Sequence, residues 1–166
     1  VSAGDLEIDV RLAHERIDFA FDRRLITQAV TNLVKNAREA IESRQHEDQT
    51  IKGKILVEAG VEKRAPFISV TDNGIGLPKE NRHRLTEPYM TTRAKGTGLG
   101  LAIVQRITEQ HGGILQLADA PKRSGKVQGA SVRMDLPIRE MDEVHAMETS
   151  AGNGAQQQAT APEAAE

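Results

Sequence analysis

Three groups of residues in this 166-residue chain have the types and spacing for chemistry on a phosphorylated ligand: Asn32 with Asn36, Asp72 with Gly74 and Gly76, and Gly96 with Gly98 and Gly100. The glycines at 96, 98 and 100 run into Leu99, Leu101, Ala102, Ile103 and Ile107, whose helical spacing predicts a glycine loop opening a helix that ends near Gly112-Gly113. A helix start of this kind presents free backbone N–H groups at the positive end of the helix dipole, with no Cβ atoms to hold a phosphate away. Asn32 and Asn36 stand four apart, on one helical face, with Glu39 a turn further on. Amide oxygens so placed suit a hard cation such as Mg²⁺, although exposed helix amides would share the spacing. Asp72, at the predicted end of a strand, supplies a carboxylate that burial would oblige to find donors, and the exocyclic amine of adenine is one. The glycines at 74 and 76 would let a flat base approach the backbone, while Asp-Asn-Gly is also a common turn sequence.

Two other phosphate motifs are excluded. The segment before Gly96 is no buried strand, and the sixth position from Gly96 is Leu101, which breaks the dinucleotide fingerprint. Neither Gly53-Lys54 nor Gly125-Lys126 is followed by Ser or Thr, so there is no P-loop.

The elements that must hold these residues follow from periodicity. Leu6 to Leu12 alternates apolar and polar and, with Ile17 to Phe21, predicts a pair of edge strands or a hairpin. Asp22 is the expected cap of a helix over 25–43, with Ile26, Val30, Leu33, Ala37 and Ile41 facing inward, followed by a loop over 44–53. Strands are predicted over 54–61, 67–71, 114–118 and 130–136, with a turn at 62–66 and a long loop over 77–95. From Arg139 the composition turns to Ala, Gln, Glu, Gly and Thr without period, so 139–166 is predicted to be a disordered tail and 1–138 the folded domain.

Composition sets the outer bounds. Hydrophobic residues make up 38% of the chain and aromatic ones 2%, which predicts a core of Val, Ile, Leu and Ala. A formal net charge of −2 argues against a nucleic-acid partner. With no cysteine there are no disulfides or thiolate metal sites, as suits a cytoplasmic domain. No apolar run approaches a membrane span, so no membrane contact is expected of this segment. The first residue is Val, as expected of a fragment whose parent could be anchored in the inner membrane.

The order Asn pair, Asp-x-Gly-x-Gly, Gly-x-Gly-x-Gly makes one complete nucleotide site, and with it the chain resembles the GHKL ATP-binding family of gyrase, Hsp90, histidine kinases and MutL. Residues 32–37 resemble its N box, 72–77 its G1 box and 96–101 its G2 box, with Gly129 and Leu136-Pro137 at the domain end. Residues 88–93 and 119–121 are most similar to nitrogen-regulation sensor kinases of the NtrY and NtrB type. The resemblance implies an α+β two-layer sandwich: a mixed sheet of five or six strands with about three helices on one face. It implies ATP and Mg²⁺ as ligands, with Asp72 at the adenine and Gly74 and Gly76 beside it, and Asn36, helped by Asn32, at the metal. Thr92, Arg93, Lys95, Gly96, Thr97, Gly98, Leu99, Gly100 and Leu101 would surround the phosphates, the loop over 77–95 acting as a lid. The implied activity is transfer of the γ-phosphoryl group to a histidine on a dimerisation domain of a homodimeric parent, and from there to a response regulator.

Departures from the family pattern bear on that activity. The phenylalanine-rich F box is reduced to Leu85-Thr86-Glu87-Pro88-Tyr89, Glu39 stands where many sensor kinases have a lysine, and Ala130 where a threonine is common. The first two favour the alternative of a non-catalytic nucleotide-binding or regulator-binding module, while the intact Asn, Asp and glycine boxes favour the kinase. In the family's ATPases a Glu four residues before the metal-binding Asn activates water; here that residue is Asn32, and an amide is no general base. None of His14, His46, His83, His111 and His145 lies in a phosphoacceptor context. The isolated chain is therefore expected to bind ATP without phosphorylating itself.

Overall fold

The computed structural model describes residues 6–13, 20–63, 65–89, 98–121 and 129–137. The elements are β1 (Leu6–Leu12), α1 (Arg23–Glu47), β2 (Gly53–Glu62), β3 (Ala65–Asp72), a 3₁₀ helix (Arg82–Thr86), α2 (Gly100–Gln110), β4 (Ile114–Asp119) and β5 (Ala130–Asp135). All lie in one compact unit of residues 1–17 and 21–137. The strands form one mixed sheet in the order β1-β2-β3-β5-β4, with β1 and β2 parallel and every other neighbour antiparallel. This is the expected α+β sandwich; of the three expected helices, two α-helices and the 3₁₀ turn stand among the described residues.

One face of the sheet carries the core. Ile55, Val70, Val132 and Met134 are buried on it, beneath α1 and α2. On α1 the buried row is Ile26, Ala29, Leu33, Ala37, Ala40 and Ile41. Ala29 and Ala40 take the place expected for Val30, because small side chains allow the helix to lie close to the sheet. On α2 Ile107 is buried as expected, and Val104 and Thr108 are buried with it in place of Leu99 and Ile103. Thr108 is tolerated there because its hydroxyl donates to the Val104 carbonyl at 2.8 Å. The opposite face is polar, with Lys54 paired to Glu7 at 2.7 Å, and Arg133 paired to Glu62 and Asp135 at 2.7 Å each while lying over the Phe67 ring.

Asp22 caps α1 as expected, accepting the Leu25 N–H at 3.0 Å. The helix continues past the expected end at Ser43 to Glu47. Tertiary contacts explain the extension: Arg44 donates to the Asn73 carbonyl and Gln45 to the Ile51 carbonyl, so residues that look like loop from their polarity are tied down. β1 lies parallel to β2, Leu6 opposite Gly53 and Leu12 opposite Ala59. The turn expected over 62–66 is shorter, since β2 runs to Glu62 and β3 begins at Ala65, with Pro66 buried within it. The expected strand over 17–21 lies mostly outside the described residues, and the expected tail over 139–166 wholly so.

Candidate functional site

Along β3 the residues facing the helix layer are Pro66, Ile68, Val70 and Asp72, so the inward apolar row ends in a carboxylate. Asp72 is 7% exposed, and its Oδ1 accepts the Gly74 N–H at 2.7 Å and the Ala130 N–H at 3.3 Å. A buried carboxylate held by backbone N–H groups on one oxygen has a fixed orientation, as recognition of a single donor requires. The neighbouring chain makes this possible. Gly129 (φ +115°) passes so close that a Cβ there would lie 1.9 Å from the Asp72 carbonyl oxygen. Gly76 (φ +82°) packs in turn against the Gly129 backbone.

Gly74 has a different reason from the one its spacing suggests. A Cβ at this position would fall 2.5 Å from the Ala40 carbonyl carbon, and Ile75 N–H donates to the Ala40 carbonyl at 3.2 Å. The glycine seats the loop after β3 against α1. Asn73 completes the seat, its Oδ1 accepting the Lys54 N–H at 2.7 Å and its Nδ2 donating to the Lys52 carbonyl at 2.8 Å.

α1 brings Asn36 to the start of α2. A Cβ on Gly100 would stand 3.0 Å from Asn36 Oδ1 and 3.2 Å from Nδ2, so the amide lies against the bare first residue of that helix. α2 begins without a side-chain cap at Leu99, and Gly98 before it has φ +67°. Such a helix start leaves N–H groups aimed at whatever binds there. Asn32, one turn earlier, uses its Nδ2 on the Gln28 carbonyl at 2.9 Å. The amide oxygen is the atom of this side chain that can accept or coordinate.

Of the expected site residues, Asn32, Asn36, Asp72, Gly74, Gly76, Gly98, Leu99, Gly100 and Leu101 are described; Thr92, Arg93, Lys95, Gly96 and Thr97 lie outside the described residues. The structure sets Asn36 against Gly100, and joins Asp72 through Gly74 to α1. In the lid segment, the 3₁₀ helix interrupts the expected loop, and Arg82 ties it down by donating to the Pro78 carbonyl at 2.8 Å and pairing with Asp119. Sequence reasoning missed Asn73, Arg82 and the part Gly129 plays beside Asp72. The advance signals were the Asp-Asn-Gly turn for Asn73 and the domain-end glycine for Gly129, neither of which says which distant backbone the residue meets. His111 accepts the Asp22 N–H on Nε2 at 3.1 Å, and its Nδ1 lies 2.8 Å from the Ile107 carbonyl. That pairing uses the neutral ring with its proton on Nδ1, so His111 joins the end of α2 to the start of α1.

Comparison with known proteins agrees with this geometry. Residues 21–140 match the model of the histidine kinase-, DNA gyrase B- and HSP90-like ATPases. The chain is 53% identical over 116 residues to the nitrogen regulation protein NtrY of Azorhizobium caulinodans, covering 70% of this chain and 14% of that protein. Among solved structures, the mycobacterial sensor histidine kinase MprB superposes with a TM-score of 0.67 at 26% identity, over 82% of this chain and 86% of that one. Full-length ShkA in complex with AMPPNP superposes with a TM-score of 0.64 at 27% identity, over 80% of this chain and 26% of that one. The chain thus spans about a seventh of the length of its NtrY relative. With Asn36, Asp72 and Gly100 brought to one end of the helix layer of a mixed sheet, the chain belongs to the histidine kinase-, DNA gyrase B- and HSP90-like ATPase family, and within it is similar to NtrY-like sensor histidine kinases.

Proposed function

We propose that this chain binds ATP with Mg²⁺ and presents the γ-phosphoryl group to a histidine on a dimerisation domain of its parent kinase, in a nitrogen-regulation type of two-component system. The observation that carries the reading is the contact between Asn36 and the bare Gly100 at the uncapped start of α2. There an amide oxygen and helix N–H groups converge, one suited to a cation and the other to phosphate. The donor set fits Mg²⁺, a hard cation that takes oxygen ligands and shares its shell with nucleotide phosphates. Bound there, Mg²⁺ supplies charge neutralisation at the phosphates. Asn36 and Asn32 hold it, Asp72 accepts the amino group of adenine, and Gly76 leaves room beside the base. The phosphates lie over the start of α2, with Thr92, Arg93, Lys95 and Thr97 as further contacts.

The chain's contribution to transfer is positioning and charge neutralisation. No group at position 32 accepts a proton from water, so steady hydrolysis is not expected. The acceptor histidine, the response regulator and the homodimeric state belong to the parent. ShkA, of similar fold, was solved with AMPPNP, an ATP analogue, which supports a nucleotide in the equivalent place.

The test supplies the histidine-bearing domain of an NtrY-like kinase together with γ-labelled ATP. Label on that histidine, dependent on Mg²⁺ and lost in Asp72→Asn, is the expected result. Nucleotide binding without any label would overturn the kinase reading in favour of a regulatory module.

A further inference from the structure

The two edges of the sheet are finished differently. On β4 the helix-side residues Leu115 and Leu117 are half-buried, and α2 packs against this strand. On β1 the helix-side row is Leu6, Ile8, Val10 and Leu12, in register with Gly53, Ile55, Val57 and Ala59 of β2. Yet these four are 36%, 50%, 63% and 69% exposed. The other face of β1 carries Glu7, Asp9 and Arg11, and all seven residues of the strand are exposed. The strand has no proline, no lysine and no break in its register with β2; of its charges, Glu7 pairs with Lys54 at 2.7 Å and Arg11 with Glu58 at 3.7 Å, both on the face away from the helices.

The backbone adds to this. Ala13 donates its N–H to the Ala59 carbonyl at 2.9 Å. In a parallel ladder that assigns the inward donors and acceptors to the odd-numbered residues of β1. The even-numbered ones, Leu6, Ile8, Val10 and Leu12, then turn both N–H and C=O outward, and among the described residues no other strand pairs with them. An apolar row and a row of backbone groups are thus presented by the same four residues.

We propose that β1 pairs antiparallel with β1 of a second copy of this chain, about a two-fold axis at Val10. Charge selects both the partner and the register. Centred on Val10, the pairing sets Asp9 opposite Arg11 of the second copy on both sides of the axis, and Ile8 opposite Leu12. Opposite charges directly across an antiparallel pair stabilise it, and like charges oppose it. A centre at Asp9 would face Asp9 with itself, a centre at Ile8 would face Glu7 with Asp9, and a centre at Arg11 would face Arg11 with itself. Only the Val10 register avoids like-charge pairs while keeping the apolar row continuous across the two sheets. Ile8, Val10 and Leu12 then exchange their outward backbone bonds with Leu12, Val10 and Ile8 of the second copy. The contact is small, so a weak, concentration-dependent dimer is expected.

Sedimentation of the 166-residue chain across a concentration series reads the association, and charge variants test its register. Asp9→Lys and Arg11→Asp each place like charges across the axis twice, and each should weaken self-association at least ~10-fold. An equimolar mixture of the two restores it, because every charged pair in the mixed dimer is of opposite sign. A misfolded variant could not produce that rescue. The chain has no cysteine, so Val10→Cys and Ile8→Cys each introduce one unique thiol. A short bis-maleimide linker should join copies at position 10 and not at position 8, whose counterparts would lie about 14 Å apart. A wild-type chain that stays monomeric to about 1 mM, variants that associate no better mixed than alone, or linking at position 8 as fast as at position 10 would each overturn the proposal.

Discussion

Asp72 combines burial with direction. Its Oδ1 is held by the N–H groups of Gly74 and Ala130, so the carboxyl group cannot turn without losing both bonds. Asp72→Asn is expected to keep the fold and weaken nucleotide binding at least ~10-fold, about 1.4 kcal/mol, by calorimetric titration. Asn36→Ala should instead remove most of the Mg²⁺ dependence while leaving some nucleotide affinity. Gly100→Ala offers an independent check on the same pair of residues. The added methyl group arrives 3.0 Å from Asn36 Oδ1, displacing the amide in a part of the molecule where Ala otherwise favours helix. Its nucleotide affinity should fall while its urea midpoint holds or rises. Gly129 has no such tolerance. At φ +115° and with a Cβ 1.9 Å from the Asp72 carbonyl oxygen, Gly129→Ala should cost at least ~2 kcal/mol by urea denaturation and disturb Asp72 with it.

At the scale of elements, α1 does two jobs with opposite faces. Its small and aliphatic residues bury against the sheet while Asn36 stands against the start of α2, so packing and the geometry of the candidate site are joined in one rigid rod. Leu33, 2% exposed between the two asparagines in sequence, is part of that packing. Leu33→Ala should cost ~2–5 kcal/mol in stability. The start of the rod is sensitive to acid. The Leu25 N–H bonded to Asp22 holds this carboxyl below the usual range, helped by the Arg24 backbone and the charge of Arg24. A carboxyl depressed in the folded state contributes stability above its unfolded pKa, about 3.9, and loses it as pH falls through the folded value. Urea midpoints should therefore decline below about pH 4, and Asp22→Asn should make that decline shallower.

At the scale of the whole molecule, the two sheet faces divide the work. One is sealed by α1 and α2 over Ile55, Val70, Val132 and Met134, and the site forms at the end of that layer where β3, α1 and the start of α2 meet. The other is laced with ion pairs and suits water. β1 alone carries an apolar row with no cover among the described residues, which makes it the place where a second chain fits.

How much of this was legible beforehand depends on the range of the interaction. The glycine boxes, the Asn pair and the Asp22 cap are local patterns, governed by backbone freedom, helical period and a bond reaching three residues along the chain, and such patterns can be read from neighbours in sequence. The approximate strands and the burial of Leu33, Ala37 and Ile41 were legible for the same reason. The parallel placement of β1 was not, because pairing direction depends on a strand more than forty residues away. Nor was the extension of α1 to Glu47, which rests on Arg44 reaching Asn73, or the clamp on Asp72, which needs Gly129 to pass beside it. The chain's own sequence determined which chemical groups were available and on which local scaffolds. Only tertiary structure decided which of them meet, because contacts between residues far apart in the chain exist only once the sheet and its helices have closed over a common core.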